Sequence, residues 1–474
     1  MLSCTLADVA RWTNGRLHSL PGIRSGGADA RVEGVAIDSR GAMKGALFVA
    51  LRGERHDAHD YAADAKKNGA AALLVDRELA VDLPQVVVDD TQYALGELAR
   101  AVRARSGARV IGITGSNGKT TVKTLLASIL SRHGRTHVNA GNFNNEIGLP
   151  LTLLAMPADT EYAVLEMGAG KPGDIAYLAR IAQPDAALVN NVAAAHLERM
   201  GSLQGVAETK GAIYRALPND GLAVINGDDA FAEYFAVLAG SRRVLRYGLL
   251  RNAQIGATVE PGAENSGRFR LLTPVSGAEI QLPLRGRHNI ANALAASALA
   301  IGLGVPLATV KAGLENAPAV PGRLARIAHA SGAMLIDDSY NANPGSFAAA
   351  IATLAAEPGE RVLVMGDMRE LGADAERLHA DVGALARRSG IDRFYAVGRH
   401  AQAASDAFGA SARHFADQAS LIEALRGELR GGVGFSYLAA AHETQYFGAD
   451  GEDLNQSVKA GYAVALNLGY NIRW

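Results

Sequence analysis

The chain has little cysteine, almost no net charge and no long uninterrupted apolar run, and each shortage removes a class of protein. One cysteine, Cys4, among 474 residues builds neither a disulfide framework nor a cysteine-based zinc site. It suits a reducing, cytoplasmic setting. The 47 basic and 48 acidic residues leave a net charge of −1, which gives no electrostatic case for nucleic acid or an acidic membrane surface. The most apolar long stretch, 290–307, is interrupted by Asn292, Ser297, Gly302 and Gly304, so it reads as a buried helix and not as a membrane span. The opening MLSCTLADVARWTNG carries Asp8 and Arg11 inside its apolar pattern and does not read as a signal peptide. Alanine and glycine are spread evenly, without a repeat or a low-complexity linker. The length fits about three domains.

What is present centres on RVIGITGSNGKTTVKTLLASIL, residues 109–130. Arg109–Thr114 reads as a buried strand, Gly115-Ser116-Asn117-Gly118 as a turn, and Lys119 opens a helix with Val122, Leu125, Leu126 and Ile129 on one face. Strand, glycine turn and helix together aim free N–H groups and a helix dipole at a phosphate. Lys119 adds a mobile charge, and Thr120, followed by Thr121, offers a hydroxyl to an accompanying magnesium ion. The strict pattern GxxxxGK[ST] fails, because position 113 is Ile113. An ordinary glycine turn capping a helix is the plain alternative, and the GKT run argues against it.

Taken in order, residues 1–88 form a first unit: a short helix from Thr5, strands at Val35–Ile37 and Leu47–Leu51, a helix near 61–68, and strands at Ala71–Val75 and Gln85–Val88. The charged loop from Arg52 to Asp60 is equally well a solvated surface or a site. A second unit, 89–318, starts with the helix 91–105. Strands at Tyr162–Met167, Ala186–Asn191 and Leu222–Asn226 alternate with helices, which argues for a mostly parallel sheet. Strands near 244–247, 268–273 and 279–284 predict a more antiparallel patch, and helices near 289–303 and 306–315 close the unit. Pro318 and Pro321-Gly322 mark a boundary. In the third unit, 319–474, strands at Ala333–Asp337, Arg361–Met365 and Phe394–Val397 separate helices near 344–357, 374–389 and 418–429. The fold class is α/β: a small N-terminal α/β domain, a central P-loop α/β domain and a C-terminal Rossmann-like domain without a GxGxxG fingerprint.

Several side chains fall where chemistry would need them. Glu166 ends a strand and His196 follows another, and both would project from the edge that carries the P-loop, as metal ligands or their supports. A lone Glu or His at a strand end is more often structural. Lys210, on an amphipathic helix, reads by itself as a solvated charge. Asn289 and Asn292 flank a helix start, where Asn commonly caps. Arg323, at the boundary, is either a clamp on a transferring phosphoryl group or an interdomain salt bridge. Asp337 and Asp338 end a strand ahead of a helix started by Pro344.

Together these segments resemble the Mur ligase family, which makes amide bonds in peptidoglycan precursors. The matching strings are DSR at 38–40, GALFVALRGERHDAHDYA at 45–62, ITGSNGKTTVK at 113–123, GNFNNEIGLPLTLL at 141–154 and LEMGA at 165–169. They continue with NNVAAAHLE at 190–198, GRHNIANALAA at 286–296, VPGRL at 320–324, DDSYNANP at 337–344 and GDMRELGA at 366–373. GNFNNEIG, DDSYNANP and GDMRELG set the chain apart from other family members, and the DNPR-type signature of the preceding ligase is not found.

The resemblance implies three domains and an ATP-dependent ligase joining D-alanyl-D-alanine to UDP-N-acetylmuramoyl-tripeptide through an acyl phosphate. It implies Gly115–Thr121 around the phosphates, Thr120 and Glu166 on a first magnesium ion, and His196 with a carbamylated Lys210 at a second. Asn289 and Asn292 would lie near adenine, Arg323 at the γ-phosphate and Asp338 at the ribose. Ser39 and Arg40 would lie near the uridine diphosphate, with Asn142, Asn144, Asn145, Tyr340 and Asn341 lining the substrates. The implied partners are small molecules and the implied state is a monomer.

One departure stands out. The family normally closes with a VLVKGSR-type strand and cationic turn, then a helix, and residues 433–474 show nothing like it. Seven of those 42 residues are aromatic, against 26 in the whole chain. Tyr462, Val464, Leu466, Leu468 and Tyr470 alternate in a strand pattern. The third unit is therefore expected to lack its last strand, and ligation to be weak. The competing readings are a folylpolyglutamate synthase-like ligase and a nucleotide-binding protein that has lost turnover.

Overall fold

Alternation along one strand divides the core of the middle unit. Successive side chains of Arg109–Thr114 face opposite ways, so Ile111 and Ile113 meet the helices Lys119–Leu130 and Arg287–Gly302, while Val110 joins the apolar core shared with the first unit. Gly112 lies under the helix Leu203–Arg215, where a Cβ would come within 2.9 Å of Ile213 Cδ1. A strand buried on both faces suits a parallel sheet with helical cover. The computed structural model, which describes residues 3–18, 27–53, 56–194, 197–250, 253–318, 320, 322–329, 332–430 and 435–440, has that arrangement.

Six parallel strands make the middle sheet, in the order Arg243–Tyr247, Leu222–Asn226, Ala186–Val189, Arg109–Thr114, Tyr162–Glu166 and Thr136–Val138. Glu166 pairs in register with Ile113 and Val189 with Thr114, so these three strands end at one edge. Arg243–Tyr247 belongs to this sheet, which corrects its expected place in an antiparallel patch. That patch is a separate sheet of Gly256–Thr258, Arg268–Leu272 and Gly277–Gln281. The apolar stretch predicted as a buried helix is the helix Arg287–Gly302, and no described helix is long and apolar enough to cross a membrane.

The first unit carries a five-stranded sheet, ordered Arg16–His18, Gln85–Val87, Ala72–Val75, Leu47–Val49 and Val35–Ala36, with only the first strand antiparallel. Its opening helix, Leu6–Thr13, starts from a capping box between Thr5 and Asp8 and buries Leu6, Val9 and Ala10.

The C-terminal sheet runs Ala325–Ala328, Met334–Asp337, Phe435–Ala440, Glu360–Met365, Arg393–Val397 and Ala412–Phe415, antiparallel at the first pair and parallel beyond it. Phe435–Ala440 therefore lies in the middle of the sheet. This overturns the expectation that the unit lacks its last strand. The backbone of Phe435–Ala440 pairs in register with a parallel neighbour on each side. The alternating pattern at 462–470 and the missing cationic turn lie outside the described residues.

Removing that strand would leave Met334–Asp337 and Glu360–Met365 with open edges. A chain ending at Arg430 should therefore show no cooperative transition for the C-terminal unit in calorimetry, while the other two units still melt. A retained transition would mean that residues 435–440 are dispensable to the sheet.

Candidate active site at the phosphate loop

The turn after Arg109–Thr114 needs glycine twice. Gly115 has φ +149° and a Cβ there would sit 3.0 Å from Asn190 Cβ; Gly118 has φ +77° and would drive a Cβ to 2.4 Å from Asn292 Oδ1. Gly118 then starts the helix Lys119–Leu130, with its N-terminus facing the loop. Lys119 folds back, Nζ donating to Gly115 O at 2.9 Å and Ser116 O at 3.4 Å. Burial holds its ammonium below the usual lysine range and Arg323 lowers it further, against the pull of Glu166.

Glu166 is 2% exposed, and its carboxylate gathers the other elements of the edge. Thr120 Oγ1 donates to Oε2 at 2.9 Å, Asn144 Nδ2 to Oε1 at 2.8 Å, and Lys123 Nζ lies 3.4 Å from Oε2. Burial alone would raise this carboxyl. Lys123 first, then Lys119, Arg323 and the Asn144 hydrogen bond, bring it below the ordinary 4.5. Lys123 and Asn139 were not singled out in the sequence. Lys123 Nζ donates to Asn139 O at 3.0 Å and Gly141 O at 3.2 Å, and the Asn139 carboxamide pairs with both the N–H and C=O of Glu166. The one signal for them was a polar, glycine-rich stretch after the P-loop helix.

Asparagines support the loop from below. Asn190 donates to Asn117 O and to Asn292 Oδ1, both at 2.9 Å, and Tyr247 donates its hydroxyl to Asn190 Oδ1 at 2.9 Å. Asn289 and Asn292 sit inside the helix Arg287–Gly302, capped by Gly286, so the capping reading is corrected. Both are buried, and Asn292 braces the P-loop through Asn190.

The C-terminal unit arrives at the same loop. Arg323 Nη2 donates to Thr120 Oγ1 at 3.2 Å, and its guanidinium lies 4.3 Å over the Tyr340 ring. Asp338 accepts from Leu324 N at 3.2 Å, and burial pushes its carboxyl up to about 7. Asn341 is half-buried in the same turn.

Three family models match consecutive stretches: the catalytic domain of the Mur ligase family over 31–103, the Mur ligase middle domain over 113–300, and the Mur ligase glutamate ligase domain over 322–434. The chain belongs to the Mur ligase family. The UDP-N-acetylmuramoyl-tripeptide–D-alanyl-D-alanine ligase of Escherichia coli K12 is 49% identical over 427 residues, covering 90% of this chain and 92% of that one. Among solved structures, MurF from Acinetobacter baumannii superposes with TM-score 0.87 at 35% identity, over 93% and 96% of the two chains. MurF from Thermotoga maritima, in complex with ADP, gives 0.75 at 28% identity, over 86% and 94%.

In this Mur ligase Lys210 is 2% exposed, not solvated, and its ammonium makes no hydrogen bond or ion pair with a described residue. Burial pulls its ammonium down to about 7. His196 lies outside the described residues. Among the described residues no three His, Cys, Asp or Glu side chains converge as a metal cage. Thr120 and Glu166 supply hard oxygen donors, and a magnesium ion that keeps its waters and takes phosphate oxygens fits such a sparse set.

The remaining substrate candidates divide. Asn145 Oδ1 accepts from Gly148 N at 2.8 Å and so anchors the helix Gly148–Ala155, while Asn142 accepts on its carbonyl from Asn144 N at 2.6 Å within the loop. Arg40 clamps Asp38 at 2.9 and 2.8 Å, and Ser39 O accepts from Asn68 at 2.6 Å, all within the first unit. The charged loop near Arg52 is more than surface, since His59 is buried between Asp57 and Asp76, with Arg52 and Arg77 outside them.

Lys123→Met should destabilise the protein by about 3 kcal/mol, because it leaves a buried carboxylate short of its nearest cation. The pKa of Glu166 is depressed in the fold, so the stabilisation is complete above its ordinary value and lost as pH falls through the folded one. Denaturant titrations of both proteins across that acid range should show the gap closing. A constant gap would mean that Lys123 acts through packing.

Proposed function

We propose that this protein is an ATP-dependent ligase that joins D-alanyl-D-alanine to UDP-N-acetylmuramoyl-tripeptide, in units divided near residues 88 and 318. The observation that carries the chemistry is the convergence of Lys119, Thr120 and Glu166 with Arg323 from another unit at one sheet edge. The substrate assignment rests on the likeness to the Escherichia coli ligase over nine-tenths of the chain. A nucleotide-linked precursor and ATP as co-substrates place the work in the cytoplasm, and we assign it to a monomer.

A carboxylate is inert to an amine until one of its oxygens can leave. In the reaction inferred, the tripeptide carboxylate attacks the γ-phosphorus, the bond to ADP breaks, and an acyl phosphate forms. The amine of D-alanyl-D-alanine then adds to the acyl carbon, loses a proton, and phosphate departs. Positioning and charge neutralisation supply most of the acceleration in such transfers.

Each residue has a part in that scheme. Gly115, Ser116, Asn117, Gly118 and Thr121 shape the phosphate cradle, and Lys119 swings from its carbonyls to the outer phosphates. Arg323 reaches the γ-phosphate, Asp338 the ribose, and Asn289 and Asn292 support the adenine side. Thr120 and Glu166 would hold one magnesium ion, and His196 with Lys210 a second. Magnesium there would supply charge neutralisation on the phosphates. Ser39, Arg40, Asn142, Asn144, Asn145, Tyr340 and Asn341 are assigned to the substrates, with the Asn145 side chain also anchoring its helix.

An amine that loses its proton near neutrality is the form that adds carbon dioxide, so the buried position of Lys210 favours a carbamate. Carbamylation converts the cation into an anionic oxygen ligand. Protein incubated with 13C-bicarbonate should show a carbamate carbon resonance that Lys210→Ala abolishes, and short carboxylic acids should partly restore turnover to that variant. A wild-type spectrum without the resonance would refute the modification.

Phosphate release from ATP should require both UDP-tripeptide and D-alanyl-D-alanine. Release driven by a folate and glutamate, or no release with any pair, would replace the assignment. Lys119→Ala should lower turnover by about 10²–10³ and leave UDP-tripeptide affinity nearly intact. Near-normal ligation by that variant would take the P-loop out of the mechanism.

A further inference from the structure

The tip of the nucleotide loop is held on every polar side. The Asn117 N–H donates to Asn191 Oδ1 at 2.8 Å, and its carbonyl accepts from Asn190 Nδ2 at 2.9 Å and Asn191 Nδ2 at 3.1 Å. The Asn191 carboxamide thus pairs with one residue's N–H and C=O, which fixes its orientation. Ser116 is tied to the same segment, its N–H donating to Asn191 O at 2.9 Å and its hydroxyl to Ala193 O at 3.1 Å. Only the Asn117 side chain is left to project from the loop.

That side chain meets the C-terminal unit. Asn343, 4% exposed, spends its Oδ1 capping the helix Pro344–Ala355 by accepting from Ser346 N at 2.9 Å. Its Nδ2 is therefore the end that reaches out, and it donates to Asn117 Oδ1 at 2.7 Å. The next turn comes equally close: a Cβ on Gly345 would lie 3.1 Å from Asn117 Nδ2 and 3.6 Å from Ala193 Cβ. A second link among the described residues, Arg323 to Thr120, is made by a charged group whose proposed partner is a phosphate. The amide pair is neutral, so a phosphate draws on it less than on the guanidinium.

We propose that Asn343 is a positioning residue for ligation: through Asn117 it seats the C-terminal unit on a nucleotide loop whose shape Asn190 and Asn191 fix. The inference rests on the ATP-dependent ligase reading. Asn343 touches neither nucleotide nor reacting atoms in this scheme. It sets where Arg323 and Asp338 arrive, so its loss lowers the rate of chemistry and not the affinity for nucleotide.

Asn343→Ser tests this, because serine still caps a helix but is too short to reach Asn117. The variant should keep the melting temperature of the C-terminal unit and bind ATP within about twofold of wild type, while kcat falls about tenfold, the worth of one net hydrogen bond. Small-angle scattering of the nucleotide-saturated variant should give a larger radius of gyration than wild type. In an Asn117→Ala background the same serine substitution should change neither kcat nor the radius further. An unchanged kcat and radius would overturn the inference, as would a full effect that persists without the Asn117 side chain. If wild-type protein binds no ATP at all, the ligase reading fails first, and that outcome is distinct from a variant that binds, closes and turns over normally.

Discussion

A buried carboxylate that stays charged is the constraint on which the site depends. Glu166, taken from water at the end of a central strand, is kept anionic by surrounding cations and donors from three directions. The donors tie in two other elements: Thr120 and Lys123 the P-loop helix, and Asn144 the glycine-rich loop, whose carbonyls Lys123 also bonds. An unpaired charge at this depth would cost several kcal/mol, so the elements are held by the need to keep it paired. The same grouping gives two oxygen donors for a hard cation beside a phosphate cradle.

The cations around Glu166 differ in how they are committed. Lys123 is buried and bonded to two backbone carbonyls, and serves the fold. Lys119 and Arg323 belong to elements that face the cradle, and Arg323 comes from a different unit. A site with one fixed and two adjustable positive charges can shift charge toward an incoming polyphosphate without stripping the carboxylate of every partner.

The sequence placed the large elements well because their apolar patterns are strong. Arg109–Thr114 and Leu222–Asn226 fall where periodicity put them, and the edge carrying Glu166 followed from parallel topology. Lys210 read as a solvated charge because a helical pattern gives no account of what packs on its polar side. Arg243–Tyr247 was misplaced because, as the edge strand of a parallel sheet, it is only partly buried and lacks the continuous apolar run of its neighbours. The asparagine network under the loop was invisible because it is built from contacts between residues as much as 102 positions apart. Phe435–Ala440 is a six-residue strand without the closing motif that marks its place in the family, so its pattern alone did not identify it.

That strand has a consequence for how the protein is made. Its two sheet neighbours, Met334–Asp337 and Glu360–Met365, leave the ribosome some 70 to 100 residues before it does, at a synthesis rate of about 5–20 residues per second. Through that interval these two strands wait without the one that lies between them, and Arg393–Val397 and Ala412–Phe415 are themselves still being made. The first two units, whose sheets close from earlier segments, can be complete by then. The interval is a window in which chaperones, or a neighbouring nascent chain, compete for the gap that residues 435–440 will fill.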